Sequence, residues 1–260
     1  MSKIAVCIPS RGPVHIMWAI QYSGLRFPVS GEKNTIVTVD VPIATARNNM
    51  AHSAIEREMD YLLFIDDDVL MPDFSVARLH YQMQQNDDWD AITGVYATKT
   101  SPPEPLIFGG DPSHAEPYWD WRMGETFPIW GAGLGCTMIR VSALERMLEH
   151  YGKDEPLFAF AETGDGKNST AIGEDLFFFK RLHDMGGTVM CDGAVICGHL
   201  DLKENKVYQL WQDCKPFKNA VPSFLDDPAS LRVGHSPVES LISKSPARDK
   251  IESKNDGDPG

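Results

Sequence analysis

The sequence lacks the features that mark secreted, membrane-spanning or zinc-knuckle proteins. Its five cysteines are scattered and never spaced as CxxC, which indicates neither a disulfide framework nor a zinc site. No segment offers about 18 uninterrupted apolar residues for a membrane span, and residues 1–8 lack a basic stretch followed by a long apolar run. We therefore expect a soluble, cytoplasmic protein without a membrane span, whose cysteines are reduced and mostly buried.

Positive charge is also scarce, because 24 Lys and Arg stand against 37 Asp and Glu and leave a net charge of −13. Broad electrostatic adhesion to nucleic acid or to an anionic membrane requires a local excess of basic side chains, so this composition disfavours both. Carboxylates in such excess can instead be concentrated around a divalent cation. The acidic clusters are therefore the first place to look for a site.

The chain is long enough for one large hydrophobic core, since 42% of its 260 residues are hydrophobic. We predict one domain over residues 1–215 and a C-terminal extension over residues 216–242, where the periodic signals fade. Residues 243–260 are dominated by Lys, Ser, Asp, Pro and Gly. With so few apolar side chains, burial cannot offset the conformational entropy that ordering would cost. This tail is therefore predicted to be disordered.

Strand-like and helix-like patterns alternate along the chain. Strands are predicted at residues 3–8, 35–40, 60–65, 91–96, 136–141, 188–191 and 194–197. Helices are predicted after Thr45, after Asp73, over residues 174–185, and from a capping box of Ser142 and Glu145. This alternation predicts an α/β fold with a largely parallel, covered sheet.

The strongest local signal is a fully apolar strand that leads directly into Asp66, Asp67 and Asp68. In an extended chain Asp66 and Asp68 would point together, and they would repel unless a cation joined them. The carboxyl end of a strand in an open α/β sheet is where ligands usually bind. Carboxylate oxygens there favour Mg²⁺ or Mn²⁺, whereas the simpler alternative is a solvated turn without metal.

Several short motifs follow one another in the order that one enzyme family uses. They are Pro9-Ser10-Arg11, Ala46-Arg47-Asn48-Asn49, Asp66-Asp67-Asp68, Trp130-Gly131-Ala132-Gly133-Leu134-Gly135-Cys136, Gly173-Glu174-Asp175 and Cys197-Gly198-His199. Together, over roughly residues 1–200, they resemble the family 2-like glycosyltransferases of the GT-A fold, of a compact bacterial or bacteriophage type. The resemblance implies a GT-A fold, in which helices flank a mainly parallel central sheet.

The same resemblance implies roles for individual residues. Asp66 and Asp68 correspond to the pair that holds Mn²⁺ or Mg²⁺, and His199, expected on the turn after a late strand, corresponds to a third protein ligand. The residues expected to contact the nucleotide-sugar are Pro9, Ser10, Arg11, Arg47, Asn48, Asp66 and Asp67. In inverting members the second acid of the Gly-Glu-Asp motif is the general base, which gives Asp175, beside Glu174, that role.

Two further interpretations concern the donor and acceptor sites. Asp40 ends the second strand and can accept a hydrogen bond from the base or ribose, although the Val-Pro that follows departs from the family's usual acidic pair. Trp130 and the run from Gly131 to Gly135 are assigned to the floor of the sugar and acceptor site, because an aromatic ring can stack on a sugar and small residues admit close approach. A core Trp beside a tight turn is the alternative.

The Gly-Glu-Asp motif begins a predicted helix. Glu174 and Asp175 would lie near the positive end of that helix, which favours their ionised forms. The alternative is an ordinary acidic first turn. The polar, glycine-rich residues 164–167 precede the motif, and we expect them to close over the donor and exclude water.

These observations predict a metal-dependent glycosyltransferase that moves a hexosyl or pentosyl group from a nucleotide-sugar to an acceptor hydroxyl with inversion. The expected donor is a UDP-sugar. The acceptor is left open between a glycan, a protein and a hydroxymethylated pyrimidine of bacteriophage DNA, and the last would place the protein in the host cytoplasm. A retaining mechanism, a nucleotidyltransferase and a non-catalytic nucleotide-sugar-binding module are the alternatives.

Overall fold

The computed structural model describes residues 2–29, 31–110, 116–163 and 170–210. These residues belong to a compact unit that spans residues 1–221. The predicted loop at 164–167, the extension at 216–242 and the tail at 243–260 lie outside the described residues. Within the described part, no helix is long and apolar enough to cross a membrane.

The described residues form five helices and fifteen strands. The helices are α1 (Ile16–Gly24), α2 (Ile43–Glu56), α3 (Ser75–Gln85), α4 (Val141–Tyr151) and α5 (Glu174–Asp184). The first eight strands are β1 (Ser2–Ser10), β2 (Gly31–Val39), β3 (Tyr61–Ile65), β4 (Val69–Leu70), β5 (Ala91–Val95), β6 (Ile107–Gly109), β7 (Glu116–Pro117) and β8 (Thr126–Pro128). The others are β9 (Gly131–Ala132), β10 (Cys136–Arg140), β11 (Ala161–Thr163), β12 (Thr170–Ile172), β13 (Val189–Ile196), β14 (Gly198–Asp201) and β15 (Lys206–Tyr208).

Seven of these strands form one central sheet in the order β2-β1-β3-β10-β5-β13-β8. β1 pairs in parallel with β2 and β3, and β13 pairs in parallel with β5. β10 runs antiparallel to both β3 and β5, and β8 runs antiparallel to β13. Only β10 and β8 oppose the other five strands, so the predicted mainly parallel α/β sheet is confirmed.

Helices cover both faces of this sheet, as β1 illustrates. Its side chains at Ala5 and Cys7 lie in the hydrophobic core that also holds buried side chains of α2, α4 and α5. Those of Ile4, Val6 and Ile8 pack in a second core with buried side chains of α1 and α3. Successive side chains of a strand point to opposite faces, so one strand contributes to both cores.

The cysteines follow the prediction where the structure describes them. Cys7, Cys136, Cys191 and Cys197 are free thiols, and all four are buried. Burial raises the pKa of the Cys191 and Cys197 thiols, so these groups stay protonated and behave as small apolar side chains. Cys214 lies outside the described residues.

The predicted capping box of α4 is wrong. The helix begins at Val141, one residue before Ser142, and its N-cap residue Arg140 makes no side-chain capping bond. The Val141 N–H donates instead to the Asp60 carbonyl at 3.0 Å. The backbone just before β3 therefore satisfies one of the N–H groups at the start of the helix, in place of a capping side chain.

Two predicted strands and one predicted turn also differ from the structure. The runs at 188–191 and 194–197 form the single strand β13, whose pairing with β5 shifts register between Asp192 and Ile196. His199, expected on a turn, lies in β14, which pairs with β4 and β15. Pairing with β4 decides this, because Val69 and His199 face each other across the two strands.

The carboxyl ends of the parallel strands meet at one edge of the sheet, since parallel neighbours end on the same side. The strands end there at Ser10, Val39, Ile65, Val95 and Ile196. The antiparallel β10 begins at the same edge with Cys136, which is paired with Ile65. Segments far apart in sequence therefore come together at this edge.

Gly94→Ala is expected to destabilise the sheet because β5 lies between two neighbouring strands with no room for a side chain there. A Cβ at Gly94 would lie 2.7 Å from the Val195 carbonyl oxygen and 3.0 Å from Cys136 Sγ. Overpacking of this kind costs about 1–3 kcal/mol, measured as a lower free energy of unfolding in denaturant titrations. Gly24→Ala is the matched control, since no atom lies within 4 Å of its added Cβ; equal stability losses in both variants would contradict the expectation.

Candidate active site

A cavity of about 820 Å³ opens at the carboxyl edge of the sheet. Its walls come from the segments that follow β1, β2, β3 and β5, from the approach to β10, from the start of α5 and from β14. The predicted residues that line it are Pro9, Ser10, Arg11, Asp40, Arg47, Asp66, Asp67, Asp68, Glu174, Asp175 and His199. The fold thus brings together side chains that were assigned to one site from separate motifs.

Three consecutive carboxylates line the cavity on the turn that follows β3, which we call the acidic turn (Asp66–Asp68). The backbone here is not extended, because Val69 N–H donates to the Asp66 carbonyl at 3.1 Å. The premise that the three side chains alternate along a strand is therefore wrong. The Trp18 indole N–H also donates to the Asp66 carbonyl, at 2.8 Å, and holds the turn in place.

Glycine is required beside the acidic turn. Asp66 N–H donates to the Gly135 carbonyl at 3.1 Å, which attaches the turn to the segment before β10. A Cβ at Gly135 would lie 2.7 Å from Val69 Cγ2 and 2.9 Å from Asp66 Oδ2. The glycine run of the sequence therefore serves close packing at this point.

Asp67 points toward the end of β1. Its Oδ2 accepts hydrogen bonds from the Ser10 hydroxyl at 2.7 Å and from the Arg11 N–H at 3.1 Å. The Ser10 Oγ also accepts from Gly12 N–H at 3.1 Å. These bonds fix the turn after β1 as one wall of the cavity and leave the Arg11 side chain exposed.

Asp66 points toward a buried arginine. The side chain of Arg47, only 4% exposed, donates from Nη2 to both Asp66 oxygens at 3.1 and 3.2 Å. Its Nε lies 3.5 Å from Glu174 Oε1, so one guanidinium serves two carboxylates. Burial raises the pKa of Asp66 and Arg47 opposes that rise, which makes the charge of this carboxyl depend on the arginine.

Asp68 faces two cationic or polar partners with its two oxygens. Lys99 Nζ lies 2.5 Å from Oδ2, and His199 Nε2 lies 3.6 Å from Oδ1. Burial alone would raise the pKa of Asp68, but His199 and Lys99 outweigh it and lower the pKa to about 2. Asp68 is therefore a carboxylate throughout the physiological range.

The backbone determines which nitrogen of His199 faces Asp68. His199 Nδ1 lies 2.6 Å from the Ala97 carbonyl oxygen, and because that oxygen can only accept, Nδ1 carries the proton. A protonated ring then donates its Nε2–H toward Asp68, and a neutral ring presents the Nε2 lone pair to it. Two acceptors that face each other in this way are held together by a proton or a cation between them.

This donor set fits a divalent cation in part. Asp68 and His199 converge as one oxygen and one nitrogen ligand, and the bond from Nδ1 orients the ring as in many metal sites. Asp66 is taken up by Arg47, and the described residues contain no cluster of three or more His, Cys, Asp or Glu with metal-site geometry. Two protein ligands suit Mg²⁺ or Mn²⁺, which keep positions for phosphate and water oxygens.

Asp175 is the most perturbed acid at the start of α5. Its pKa is raised to about 6, first by burial and then by the neighbouring charge of Glu174, while a hydrogen bond from Leu176 N–H to its Oδ1 at 2.7 Å opposes the shift. The helix terminus was expected to favour the ionised form, so burial outweighs it here. A pKa of about 6 suits a group that takes up a proton near neutral pH.

Several residues assigned to the site from sequence do not line the cavity, among them Asn48, Trp130 and Gly131. Asn48 instead ties α2 to a neighbouring segment, since its amide donates to the Phe158 carbonyl at 2.7 Å and accepts from Leu157 N–H at 2.8 Å. Trp130 is 7% exposed, and its ring stacks on His183. Gly131 packs against Phe179 of α5. Trp130 and Gly131 of the predicted sugar floor therefore lie in the packed core, whereas Gly133 and Leu134 of the same run line the cavity.

Sequence reasoning missed the contribution of β5 to the cavity. The missed lining residues are Val41, Pro42, Ile43, Tyr96, Thr98, Lys99 and Leu106. Tyr96, Thr98 and Lys99 follow β5 directly, so the rule that found the acidic turn after β3 applies to them equally. The Tyr96 hydroxyl accepts from Gly135 N–H at 3.1 Å, which joins this segment to the approach to β10.

Comparison with known proteins adds a fold relationship. No protein-family model matches the chain, and no curated protein matches its sequence. Among solved structures, the chain is similar to A197 from STIV, with a TM-score of 0.53 and 19% sequence identity over 84% of this chain and 99% of that chain. At this identity the likeness shows a shared fold, and the activity has to be argued from the site.

Arg47→Met is expected to lower the free energy of unfolding by about 3–5 kcal/mol, because it leaves two partly buried carboxylates without their countercharge. Denaturant titration at neutral pH measures the loss. Arg57→Met, at the exposed end of the same helix, is the matched control. The double variant Arg47→Met/Asp66→Asn should recover part of the loss, and a single-variant effect no larger than that of the control would show that the arginine is not needed for charge balance.

Proposed function

We propose that the chain is a glycosyltransferase of the GT-A kind that transfers a sugar from a nucleoside-diphosphate donor to an acceptor hydroxyl. The observation that carries the proposal is the juxtaposition in one cavity of the Asp68–His199 pair and the partly buried acid Asp175. The pair offers a site for a cation that grips a diphosphate. The acid offers a base for the attacking hydroxyl.

The donor's nucleotide fits the half of the cavity built from the ends of β1 and β2. Ser10, Arg11 and Asp40 line this half, and an open α/β sheet binds nucleotides at this edge. Asp40 has a left-handed backbone, with φ of 55°, and its N–H donates to the Ser10 carbonyl at 2.9 Å. This strained turn holds the Asp40 carboxylate beside the end of β1, where it can accept a hydrogen bond from a base or ribose.

Asp68 and His199 are the residues that would hold Mn²⁺ or Mg²⁺. The bound ion would supply Lewis-acid neutralisation of the diphosphate as it leaves the sugar. Asp67 would act through the backbone, because it fixes Ser10 and Arg11 beside the acidic turn. Asp66, held by Arg47, would keep the turn charged and in position.

Asp175 is assigned the role of general base. Its Oδ1 accepts from Leu176 N–H, which orients the carboxylate and leaves Oδ2 to take up the proton. The acceptor hydroxyl gives up its proton as its oxygen bonds to the anomeric carbon, and the bond from that carbon to the diphosphate oxygen breaks. Attack from the opposite side inverts the anomeric configuration; a product with retained configuration would remove Asp175 from this role.

Donor binding is tested by thermal denaturation with a panel of nucleotide-sugars, UDP-sugars first, with Mn²⁺ or with chelator. The expected result is a donor-dependent rise in melting temperature that Mn²⁺ enlarges, followed by slow metal-dependent donor hydrolysis. Asp68→Ala should remove the Mn²⁺-dependent part of the rise, whereas Asp88→Ala, an exposed acid outside the cavity, should retain it. Release of pyrophosphate from a nucleoside triphosphate would favour a nucleotidyltransferase, and binding without hydrolysis or transfer would favour a non-catalytic module.

The pH dependence of kcat/KM tests the base. Because only the ionised form accepts a proton, the rate should fall as pH drops through about 6, the raised pKa of Asp175, and level off above it. Asp175→Asn should reduce kcat by about 10²–10⁴-fold and abolish this acidic limb. Asp184→Asn, at the exposed far end of α5, should leave both unchanged; an unaltered acidic limb in Asp175→Asn would assign the titration to another group.

A further inference from the structure

Lys99 contacts Asp68 at a carboxylate oxygen that could otherwise bind a metal. Its Nζ lies 2.5 Å from Asp68 Oδ2, on the carboxylate whose other oxygen faces His199. The side chains of Lys99 and Asp68 are 28% and 23% exposed, so both charges are partly withdrawn from water. An ion pair in this setting interacts more strongly than one on the open surface.

The backbone around Lys99 is built to hold this position. Thr98 N–H donates to the Glu104 carbonyl at 2.7 Å, and Glu104 N–H donates back to Thr98 Oγ1 at 2.9 Å, which closes the turn after β5. The same segment supplies the Ala97 carbonyl that orients His199. One short stretch therefore positions both partners of Asp68.

The chemistry of an ammonium group suits a second task in this cavity. Lys99 carries three N–H donors on a flexible stem and uses one on Asp68, so two can reach phosphate oxygens. Arg47, another cation that lines the cavity, donates to Asp66 and lies 3.5 Å from Glu174. Arg11 also lines the cavity, and its side chain is exposed after β1. Of the three Lys and Arg side chains among the described lining residues, Lys99 is the one in contact with Asp68, where it can both meet a diphosphate and repel a divalent ion.

We propose that Lys99 binds the donor diphosphate when no metal is present and weakens the binding of a divalent ion at Asp68 and His199. The proposal rests on the proposed function in so far as a nucleoside diphosphate is the ligand. It assigns to this chain a donor-binding mode that does not require metal. A divalent ion would strengthen the binding of the diphosphate, but it would bind Asp68 against the repulsion of Lys99.

The test uses three titrations of the full chain, with Mn²⁺, UDP and inorganic pyrophosphate, at one fixed neutral pH. Mn²⁺ alone is titrated by the electron paramagnetic resonance signal of the free ion. UDP, and inorganic pyrophosphate as a probe that does not depend on the base, are titrated by calorimetry in excess chelator. None of these titrations contains a nucleotide-sugar or an acceptor, so none of them measures transfer.

Lys99→Met should bind Mn²⁺ about tenfold more tightly and bind UDP and pyrophosphate in chelator about tenfold more weakly, because one positive charge has been removed beside both ligands. Lys99→Gln, which keeps a polar contact with Asp68, should shift both affinities in the same directions and serves if the Met variant is unstable. Lys180→Met breaks another Lys–Asp pair, on α5 outside the cavity, and should shift neither. These opposite shifts separate the proposal from a purely structural ion pair, whose loss would not tighten Mn²⁺ binding.

Unchanged affinities in the neutral Lys99 variants, or weaker Mn²⁺ binding, would overturn the proposal, as would a wild-type chain that binds neither UDP nor pyrophosphate in chelator. These outcomes are distinct from failure of the proposed function. A chain that shows both opposite shifts but transfers no sugar would support the role of Lys99 and sink the transferase. A chain that transfers sugar but shows no shifts would support the transferase and overturn the role of Lys99.

Discussion

Three adjacent carboxylates after one buried strand are the constraint on which the candidate site depends. Like charges this close raise one another's energy unless each finds its own partner. The fold supplies one set of partners per carboxylate: Arg47 for Asp66, the Ser10 hydroxyl and Arg11 N–H for Asp67, and Lys99 with His199 for Asp68. Each partner comes from a different segment, so satisfying the charges also fixes the shape of the cavity.

The three carboxylates consequently have different capacities. Asp66 and Asp67 are engaged in holding α2 and the end of β1 against the acidic turn, whereas Asp68 faces the cavity with partners that a ligand can displace or join. Asp175 differs again, because burial beside Glu174 raises its pKa to about 6 where Asp68 is held near 2. Two carboxylates with pKa values pushed apart can divide the work of holding charge and taking up a proton.

The mainly parallel sheet explains why these groups meet at all. Parallel neighbours end at a common edge, so the segments after β1, β3 and β5 converge although they are far apart in sequence. The antiparallel β10 begins at that edge and brings Gly133 and Gly135, where the absence of a side chain leaves room for Tyr96 and Asp66. The shared fold with A197 from STIV describes this framework, while the chemistry depends on the side chains at its edge.

The sequence alone predicts the alternation of strands and helices and the position of the acidic turn, because periodicity and an apolar run into three acids are local signals. It also indicated Arg47, Asp175 and His199, through motif order. The packing roles of Asn48 and Trp130 follow only from the tertiary structure. So do the pairing of Arg47 with Asp66 and the approach of Lys99 and His199 to Asp68. Those pairings depend on which segments meet at the sheet edge and on how deeply each charge is buried, and neither is encoded in spacing along the chain.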